Sequence, residues 1–295
     1  MPTPSPNPSV PAAARDLLAL LQAAGTAALA HFSSEVRVER KADGSPVTAA
    51  DRAAEAVLLD GIARLYPEDA AESEEGGRIV GRGHEPARWV IDPLDGTSAF
   101  TEGLAHWGPS LGRLEAREGR PHVRAGATWL PRLGEFWWVE AGDAHHAVVR
   151  EGVTSWRALR ASLLARRVVY VPSEVHTWPA PLVWSGKARC LGGTAAHLAL
   201  VARGSAGAAV VGPGWSTWDV AAGLALIVGG GGVVWTIGPE QPIEVAGGGR
   251  HACAWLPPVG APFVAGHPEV VAELVAALPS TAGRERFNAG EVDAT

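Results

Sequence analysis

The segment Trp89–Phe100, WVIDPLDGTSAF, constrains this chain more than any other part of its sequence. Its first three residues form an apolar run that favours a buried strand, which we expect to stop at Asp92-Pro93. Asp92 and Asp95 then enter a turn in which Pro93 fixes φ and lacks a backbone N–H. A buried strand that delivers two carboxylates to one point needs a cation or a proton there, because the two charges repel each other.

Three oxygen groups of this segment can face the same point, namely the carboxylates of Asp92 and Asp95 and the carbonyl of Leu94. Hard oxygen ligands of this kind suit Mg²⁺. Two carboxylates 4 Å apart at an effective dielectric near 20 repel by about 4 kcal/mol. Gly96 permits close backbone approach, and the N–H groups of Gly96 and Thr97 would point at an anion if a helix begins there. The alternative is a solvated turn, since Asp-Pro and Asp-Gly are common turn dipeptides, and this segment alone leaves both interpretations open.

Three further acidic positions bear on that choice. Glu74 belongs to the acidic run at 72–75, just before the strand, and taken alone this run favours a solvated acidic loop. Asp219 opens a helix, where it can simply be a cap. Asp51 follows Thr48 in a Thr-x-x-Asp pattern, which is typical of a helix start. Each position taken alone is therefore ambiguous.

The hydrophobic pattern predicts a mixed α/β chain. Spacings of three and four residues predict a helix from Ala12 and a second from Thr48. Antiparallel strands follow up to about residue 150, and strands then alternate with helices, which suggests a layered α/β second half. We expect a disordered Pro-rich tail at 1–11, an α+β domain at 12–150 and an α/β domain at 151–295 that contributes Asp219.

Composition excludes several classes of protein. The 295 residues carry 25 basic and 31 acidic side chains, a formal charge of −6, which argues against binding to a nucleic acid polymer. No apolar run reaches the roughly 18 residues of a membrane helix, and the N-terminus has no basic region of a secretory signal. The two cysteines, Cys190 and Cys253, make neither a disulfide framework nor a four-thiolate zinc site. We expect a reduced, cytoplasmic protein with Cys190 in its core, and His145 and His146 as a surface pair in a turn.

Five stretches, in order and with similar spacing, resemble the inositol monophosphatase family of Mg²⁺-dependent, Li⁺-inhibited phosphatases. They are Lys41–Glu55, Pro67–Glu75, Trp89–Phe100, Gly193–Ala196 and Trp218–Gly223, and the resemblance extends over about residues 12–280. It implies a five-layered α/β/α/β/α sandwich of the inositol monophosphatase and fructose-1,6-bisphosphatase type. It also implies a small phosphorylated metabolite as substrate, and a homodimer.

The resemblance also implies a role for individual residues. Two or three Mg²⁺ ions would be held by Glu74, Asp92, the Leu94 carbonyl, Asp95 and Asp219. The groups that orient the attacking water would be Glu74, Thr97 and, behind Thr97, Asp51. The substrate would be bound by Gly96, Thr97, Gly193, Thr194 and Lys41. Water activated by the metal would attack the phosphate directly, without a covalent phosphoenzyme.

The substrate is less clearly indicated. Inositol-specific members of the family place an acidic residue where this chain has Gly212, which weakens inositol phosphate as the substrate. The stretches KADGSPVTAADRAAE and EFWWVE look closest to histidinol-phosphate phosphatases, whereas PEDAAESEE resembles the 3′(2′),5′-bisphosphate nucleotidases. A catalytically silent protein that binds a phosphate ligand is the non-enzymatic alternative. A third alternative is a globular protein whose acids are all helix caps and turns, but all five family-like stretches would then have to occur in the family's order by coincidence.

Overall fold

The structure is a computed structural model of the chain. It describes residues 10–32, 36–42, 44–84, 87–117, 119–141, 143–159, 164–178, 182–237, 243–246 and 254–277. Most of the Pro-rich tail and Cys253 lie outside these residues, so the structure does not test the predictions made for them.

The described residues contain six α-helices, and the first two begin at or next to the predicted residues Ala12 and Thr48. The six helices are α1 (Ala12–Leu29), α2 (Ala49–Leu65), α3 (Thr97–Thr101), α4 (Thr194–Ala202), α5 (Thr217–Gly229) and α6 (Pro268–Ala276), with a 3₁₀ turn at Ser173–Thr177. The predicted capping box is present at α2, where Asp51 and Thr48 exchange hydrogen bonds at the first turn. None of the helices in the described part of the chain is long and apolar enough to cross a bilayer.

Seventeen strands lie within the described residues. They are β1 (Glu39–Arg40), β2 (Pro46–Val47), β3 (Ala70–Ser73), β4 (Arg78–Ile79), β5 (Arg88–Asp95), β6 (Gly108–Arg117), β7 (Arg120–Leu130), β8 (Glu135–Glu140), β9 (Asp143–Arg150), β10 (Val153–Ala158), β11 (Val168–Tyr170), β12 (Lys187–Arg189), β13 (Ala208–Val211), β14 (Val233–Thr236), β15 (Ile243–Ala246), β16 (Ala254–Trp255) and β17 (Phe263–Gly266). β1 and β2 form a hairpin of their own. The first large sheet has the order β10-β9-β8-β7-β6-β5-β3-β4, with β16 also paired to β7, and the second has the order β12-β11-β13-β17-β14-β15.

The two sheets and the helices form five layers, as the resemblance implies. On β5, Trp89 and Ile91 face α1 and α2, whereas Val90 faces the opposite side, because side chains alternate along a strand. That opposite side packs on α4 and α5, which also cover the inner face of the second sheet. α6 packs on the outer face of the second sheet. The order of layers is therefore α/β/α/β/α.

The two halves of the chain share one core. Buried residues of the first sheet, of α4 and α5 and of the second sheet belong to the same hydrophobic cluster. Strand β10, which follows residue 150, pairs with β9 in the first sheet. The division into domains at residues 150 and 151 stays a prediction, but the chain returns to the first sheet beyond that point.

Two expectations about single residues are wrong. His145 and His146 lie in β9 and not in a turn, and His146 is buried, with Nε2 3.1 Å from Glu135 and Nδ1 accepting a hydrogen bond from Arg157 at 3.1 Å. Sheet pairing buries this histidine because its strand is covered on that face. Cys190 is exposed and not in the core, since it follows the edge strand β12, whose residues are all exposed.

The contact between α5 and the first sheet is made by very small residues. A Cβ on Gly126 of β7 would lie 2.7 Å from the Cα of Ala222, and a Cβ on Gly112 of β6 would lie 2.4 Å from the Cβ of Ala221. The helix backbone therefore rests directly on the strands. This close approach sets the height of α5, and of Asp219 at its first turn, above the sheet.

We expect Gly126→Ala to destabilise the protein by about 1–3 kcal/mol, because the added methyl group meets the helix backbone, which cannot rotate away. The midpoint of urea unfolding measures the effect. Gly77→Ala is the matched control, since the nearest atoms to its Cβ would be the ends of the Leu59 and Glu55 side chains, which can shift at lower cost than a helix backbone, even though Glu55 accepts the Gly77 N–H. Equal destabilisation by the two changes would contradict this account of the contact.

Candidate active site

The carboxyl end of β5 carries the two acids of the DPLD segment. The strand does not stop at Asp92 as expected: its pairing with β6 becomes irregular there and resumes where Asp95 opposes Gly108. Pro93 cannot donate to the sheet, and the backbone N–H of Leu94 donates instead to Asp92 Oδ1 at 2.9 Å. The irregularity interrupts the regular alternation of side chains between Asp92 and Asp95, and both residues are buried.

Three acids that are far apart in the sequence meet beside this strand end. One carboxylate oxygen each from Glu74, Asp92 and Asp219 lies within 4.8 Å of the other two. Glu74 arrives because β3 runs parallel to β5, and its backbone N–H donates to the carbonyl of Ile91 at 3.0 Å. Asp219 arrives on the first turn of α5, where its Oδ2 accepts the backbone N–H of Ser216 at 2.7 Å.

Burial and the neighbouring carboxylates raise the pKa of two of these acids, Asp92 and Asp219. Burial raises the pKa of Asp92 well above its usual range, and the charges of Glu74, Asp95 and Asp219 raise it further. Burial also raises the pKa of Asp219 to about 7. A group of oxygen donors that repel one another in a buried place has the chemistry of a site for a hard divalent cation, and a magnesium ion fits this donor set.

Asp95 lies beside this group but also binds α4. Its Oδ2 accepts the backbone N–H of Ala196 at 3.1 Å, so the carboxylate caps the first turn of that helix. Burial raises the pKa of Asp95 to about 7, although hydrogen bonds from the α4 backbone, that of Ala195 first, act against the rise. Asp95 therefore joins the end of β5 to α4 and faces Asp219 at the same time.

Thr97 and Asp51 form a connected pair next to the acids. Thr97 Oγ1 lies 3.0 Å from Asp51 Oδ1 and 3.3 Å from the Leu94 carbonyl oxygen. The other carboxylate oxygen of Asp51 accepts the backbone N–H and the hydroxyl of Thr48, at 2.8 and 2.6 Å. Because Asp51 accepts the Thr97 hydroxyl proton, the Thr97 oxygen keeps lone pairs free to accept a hydrogen bond from a water molecule.

Two of the predicted substrate-binding glycines lie against each other. Gly96 has φ of +85°, which favours glycine, and caps α3, while Gly193 precedes α4. A Cβ on Gly96 would lie 2.9 Å from the backbone nitrogen of Gly193. A Cβ on Gly193 would lie only 1.9 Å from Asp95 Oδ2. The backbones of the two halves of the chain therefore touch beside the acids, and Thr194 follows at the start of α4.

Lys41 brings a positive charge to the edge of the acidic group. Its Nζ lies 2.8 Å from Glu74 Oε1 and 2.7 Å from Glu75 Oε1. Sequence analysis did not single out Glu75, although it adjoins Glu74 in the same acidic run. Burial raises the pKa of Glu75, while its contact with Lys41 lowers it. The structure thus brings Glu74, Asp92 and Asp219 together and places Asp95, Lys41 and the pair of Thr97 and Asp51 near them, with Glu75 as an addition. The roles that the resemblance implies for these residues stay predictions.

The sequence profile of the inositol monophosphatase family matches residues 13–278. The chain belongs to the inositol monophosphatase family. Over 216 residues it is 31% identical to a histidinol-phosphatase of Chlorobaculum parvum, covering 71% of this chain and 80% of that one. Over 144 residues it is 37% identical to a histidinol-phosphatase of Streptomyces coelicolor, covering 48% of this chain and only 52% of that relative.

The fold is that of solved structures in this family. The extragenic suppressor protein SuhB of Bartonella henselae superposes with a TM-score of 0.67 at 20% identity, covering 95% of this chain and 100% of that one. At this identity the likeness concerns the fold alone. The inositol monophosphatase family therefore accounts for the architecture, and the choice of substrate depends on residues of this chain.

Proposed function

We propose that this chain is a Mg²⁺-dependent phosphomonoesterase that hydrolyses a small phosphorylated metabolite. The observation that carries the proposal is the convergence of Glu74, Asp92 and Asp219 within 4.8 Å. A solvated turn or a set of helix caps does not require acids from three separate parts of the chain to meet at one point, with Asp92 among them buried. Membership of the family supports the same reaction.

Different residues of the site would bind the metal, the substrate and the attacking water. Glu74, Asp92 and Asp219 would hold Mg²⁺, with Asp95 and the Leu94 carbonyl beside them. Bound Mg²⁺ would supply charge to stabilise the phosphoryl group in transfer and would lower the pKa of water. The backbone N–H groups of Gly96 and Thr97 would bind the phosphate oxygens.

The attacking water is oriented by the chain itself. Asp51 is 2% exposed and accepts a hydrogen bond from the Thr97 hydroxyl, so that the hydroxyl proton points toward Asp51 and away from the metal-binding acids. The water would donate one hydrogen bond to the Thr97 hydroxyl oxygen and a second to the Glu74 carboxylate. Its lone pair would then face the phosphorus. Fixing the nucleophile in this way reduces the entropy that is lost on going from the bound substrate to the transition state.

We propose histidinol phosphate as the preferred substrate. Gly212 directly follows β13 at the carboxyl edge of the second sheet, and a Cβ there would lie 3.2 Å from the Trp178 ring. An acidic side chain to bind polyol hydroxyls is absent at 212, and an indole lies next to that position. The histidinol-phosphatase relatives support the same choice. Adenosine 3′,5′-bisphosphate is the second candidate, because PEDAAESEE resembles the nucleotidases.

A panel of phosphate esters tests both the reaction and the substrate. We expect kcat/KM for histidinol phosphate to exceed that for inositol 1-phosphate by about 10-fold or more, with no turnover after chelation of Mg²⁺. A higher kcat/KM for adenosine 3′,5′-bisphosphate would favour the second candidate. If the protein binds these esters but hydrolyses none of them, the alternative of a catalytically silent protein that binds a phosphate ligand is correct instead. A homodimer, which the family resemblance implies, and a cytoplasmic location, which we infer from the two cysteines, remain part of the proposal.

A further inference from the structure

His197 is a buried histidine on α4 that the proposed reaction does not use. It is 4% exposed, and its ring stacks on Tyr170 with 5.1 Å between ring centroids and 12° between ring planes. Its Nε2 accepts the backbone N–H of Leu191 at 3.0 Å. Since Nε2 is the acceptor, the proton of the neutral ring is on Nδ1.

This side chain holds the loop that joins β12 to α4. Leu191 N–H bonds to the ring, and the backbone N–H of His197 bonds to the Gly193 carbonyl at 3.1 Å. Gly193 N–H in turn donates to the carbonyl of His106 at 3.1 Å, and His106 also bridges Gly192. The loop at 191–193 is therefore held on one side by His197 and on the other by the backbone of the first half of the chain.

The position of this loop decides how α4 meets Asp95. Gly193 already lies so close to Asp95 that a Cβ would be 1.9 Å from its Oδ2, and Ala196 N–H donates to the same oxygen at 3.1 Å. A small displacement of the loop moves these backbone groups relative to the carboxylate. In enzymes, misplacement of reacting groups by about 1 Å can lower the rate about 10²-fold.

We propose that His197 is a positioning residue that, by holding the Leu191 N–H, keeps Gly193 and the first turn of α4 in register with Asp95. The inference rests on the proposed phosphatase function for its kinetic consequence only. The geometric consequence, a change in how the acidic group binds Mg²⁺, does not depend on which ester is hydrolysed.

The decisive comparison is between His197→Gln and His197→Leu in the full chain. The glutamine side chain can place an acceptor oxygen near the position of Nε2, whereas leucine leaves the Leu191 N–H without an acceptor. We expect His197→Leu to lower kcat about 10- to 100-fold, with KM changed far less, and to weaken Mg²⁺ binding in isothermal titration at least about threefold. His197→Gln should restore both quantities to within about threefold of wild type.

His146→Leu is the matched control, because His146 is equally buried and also accepts and donates hydrogen bonds, but in the network of Glu135 and Arg157. It should lower Tm and leave kcat and Mg²⁺ affinity unchanged. If His197→Leu does not fold, His197→Asn replaces it, since asparagine is too short to reach the Leu191 N–H and should show the same loss.

Wild-type kcat and Mg²⁺ affinity in a folded His197→Leu protein would overturn the proposal. So would equal impairment of folded His197→Gln and His197→Leu, or of folded His197→Gln and His197→Asn. If the wild-type protein hydrolyses no ester of the panel, the proposed function is wrong, while the titration with Mg²⁺ still decides whether His197 positions the site.

Discussion

Asp92→Asn should lower kcat by about 10³-fold or more while the chain remains folded. Asp92 is the one buried member of the three acids that lie within 4.8 Å of one another, at 3% exposure. Asparagine has nearly the same shape but carries no charge, so it offers a much weaker ligand to a hard cation. Loss of a metal that stabilises the transferring phosphoryl group removes several kcal/mol of transition-state stabilisation. Steady-state hydrolysis at saturating Mg²⁺ measures the effect.

The same variant has a thermodynamic signature that does not depend on turnover. A ligand at 100 times its dissociation constant stabilises a folded protein by about 2.7 kcal/mol, so Mg²⁺ should raise the Tm of the wild type. We expect this rise to disappear in Asp92→Asn. The matched control is Asp69→Asn, because Asp69 is also buried but binds Arg113 and the Trp89 indole away from the site. It should reduce Tm and keep both the Mg²⁺ response and turnover. A wild-type kcat in Asp92→Asn would end the assignment.

Thr97→Val should lower kcat about 10²- to 10⁴-fold without affecting Mg²⁺ binding. Valine replaces the hydroxyl by a methyl group of similar size, so the acids and the backbone stay in place, but the contact to Asp51 at 3.0 Å is lost. Water then has no acceptor at this position, and correct placement of a proton acceptor contributes about that factor. The measurement is single-turnover hydrolysis together with Mg²⁺ titration.

Two neighbouring variants make the Thr97 result specific. Thr97→Ser keeps the hydroxyl and should retain most of the activity. Ser98→Ala removes the next hydroxyl along α3, for which the structure shows no side-chain hydrogen bond within the described residues, and it should leave kcat unchanged. If Thr97→Val loses Mg²⁺ affinity as much as kcat, the hydroxyl contributes to metal binding and does not orient water.

Much of the local structure was predictable from the sequence. The Thr48-x-x-Asp51 pattern predicted a capping box, and the box is present because both partners lie within one helical turn. The apolar run before Asp92 predicted a buried strand, and seven of the eight residues of β5 are buried. The alternation of strands and helices after residue 160 predicted a layered second half. These features depend on neighbours in the chain, which a sequence shows directly.

The wrong expectations have a common cause. The environments of His146 and Cys190 depend on which strands are covered and which lie at an edge, and neither follows from nearby residues. The end of β5 was misplaced because Pro93 stops hydrogen bonding at only one position, and a facing strand can resume the pairing two residues later. His197 escaped notice because a single histidine in an Ala- and Leu-rich helix gives no sign of its partner.

The sequence by itself determined which residues carry charge, where the helices begin and which five motifs this chain shares with its family. Whether Glu74, Asp92 and Asp219 lie together was decided only by tertiary structure, through the parallel pairing of β3 with β5 and the close contact of α5 with β6 and β7. The physical reason is that local preferences act over a few residues, whereas a metal site needs donors from distant segments, and sheet pairing and helix packing alone supply that proximity.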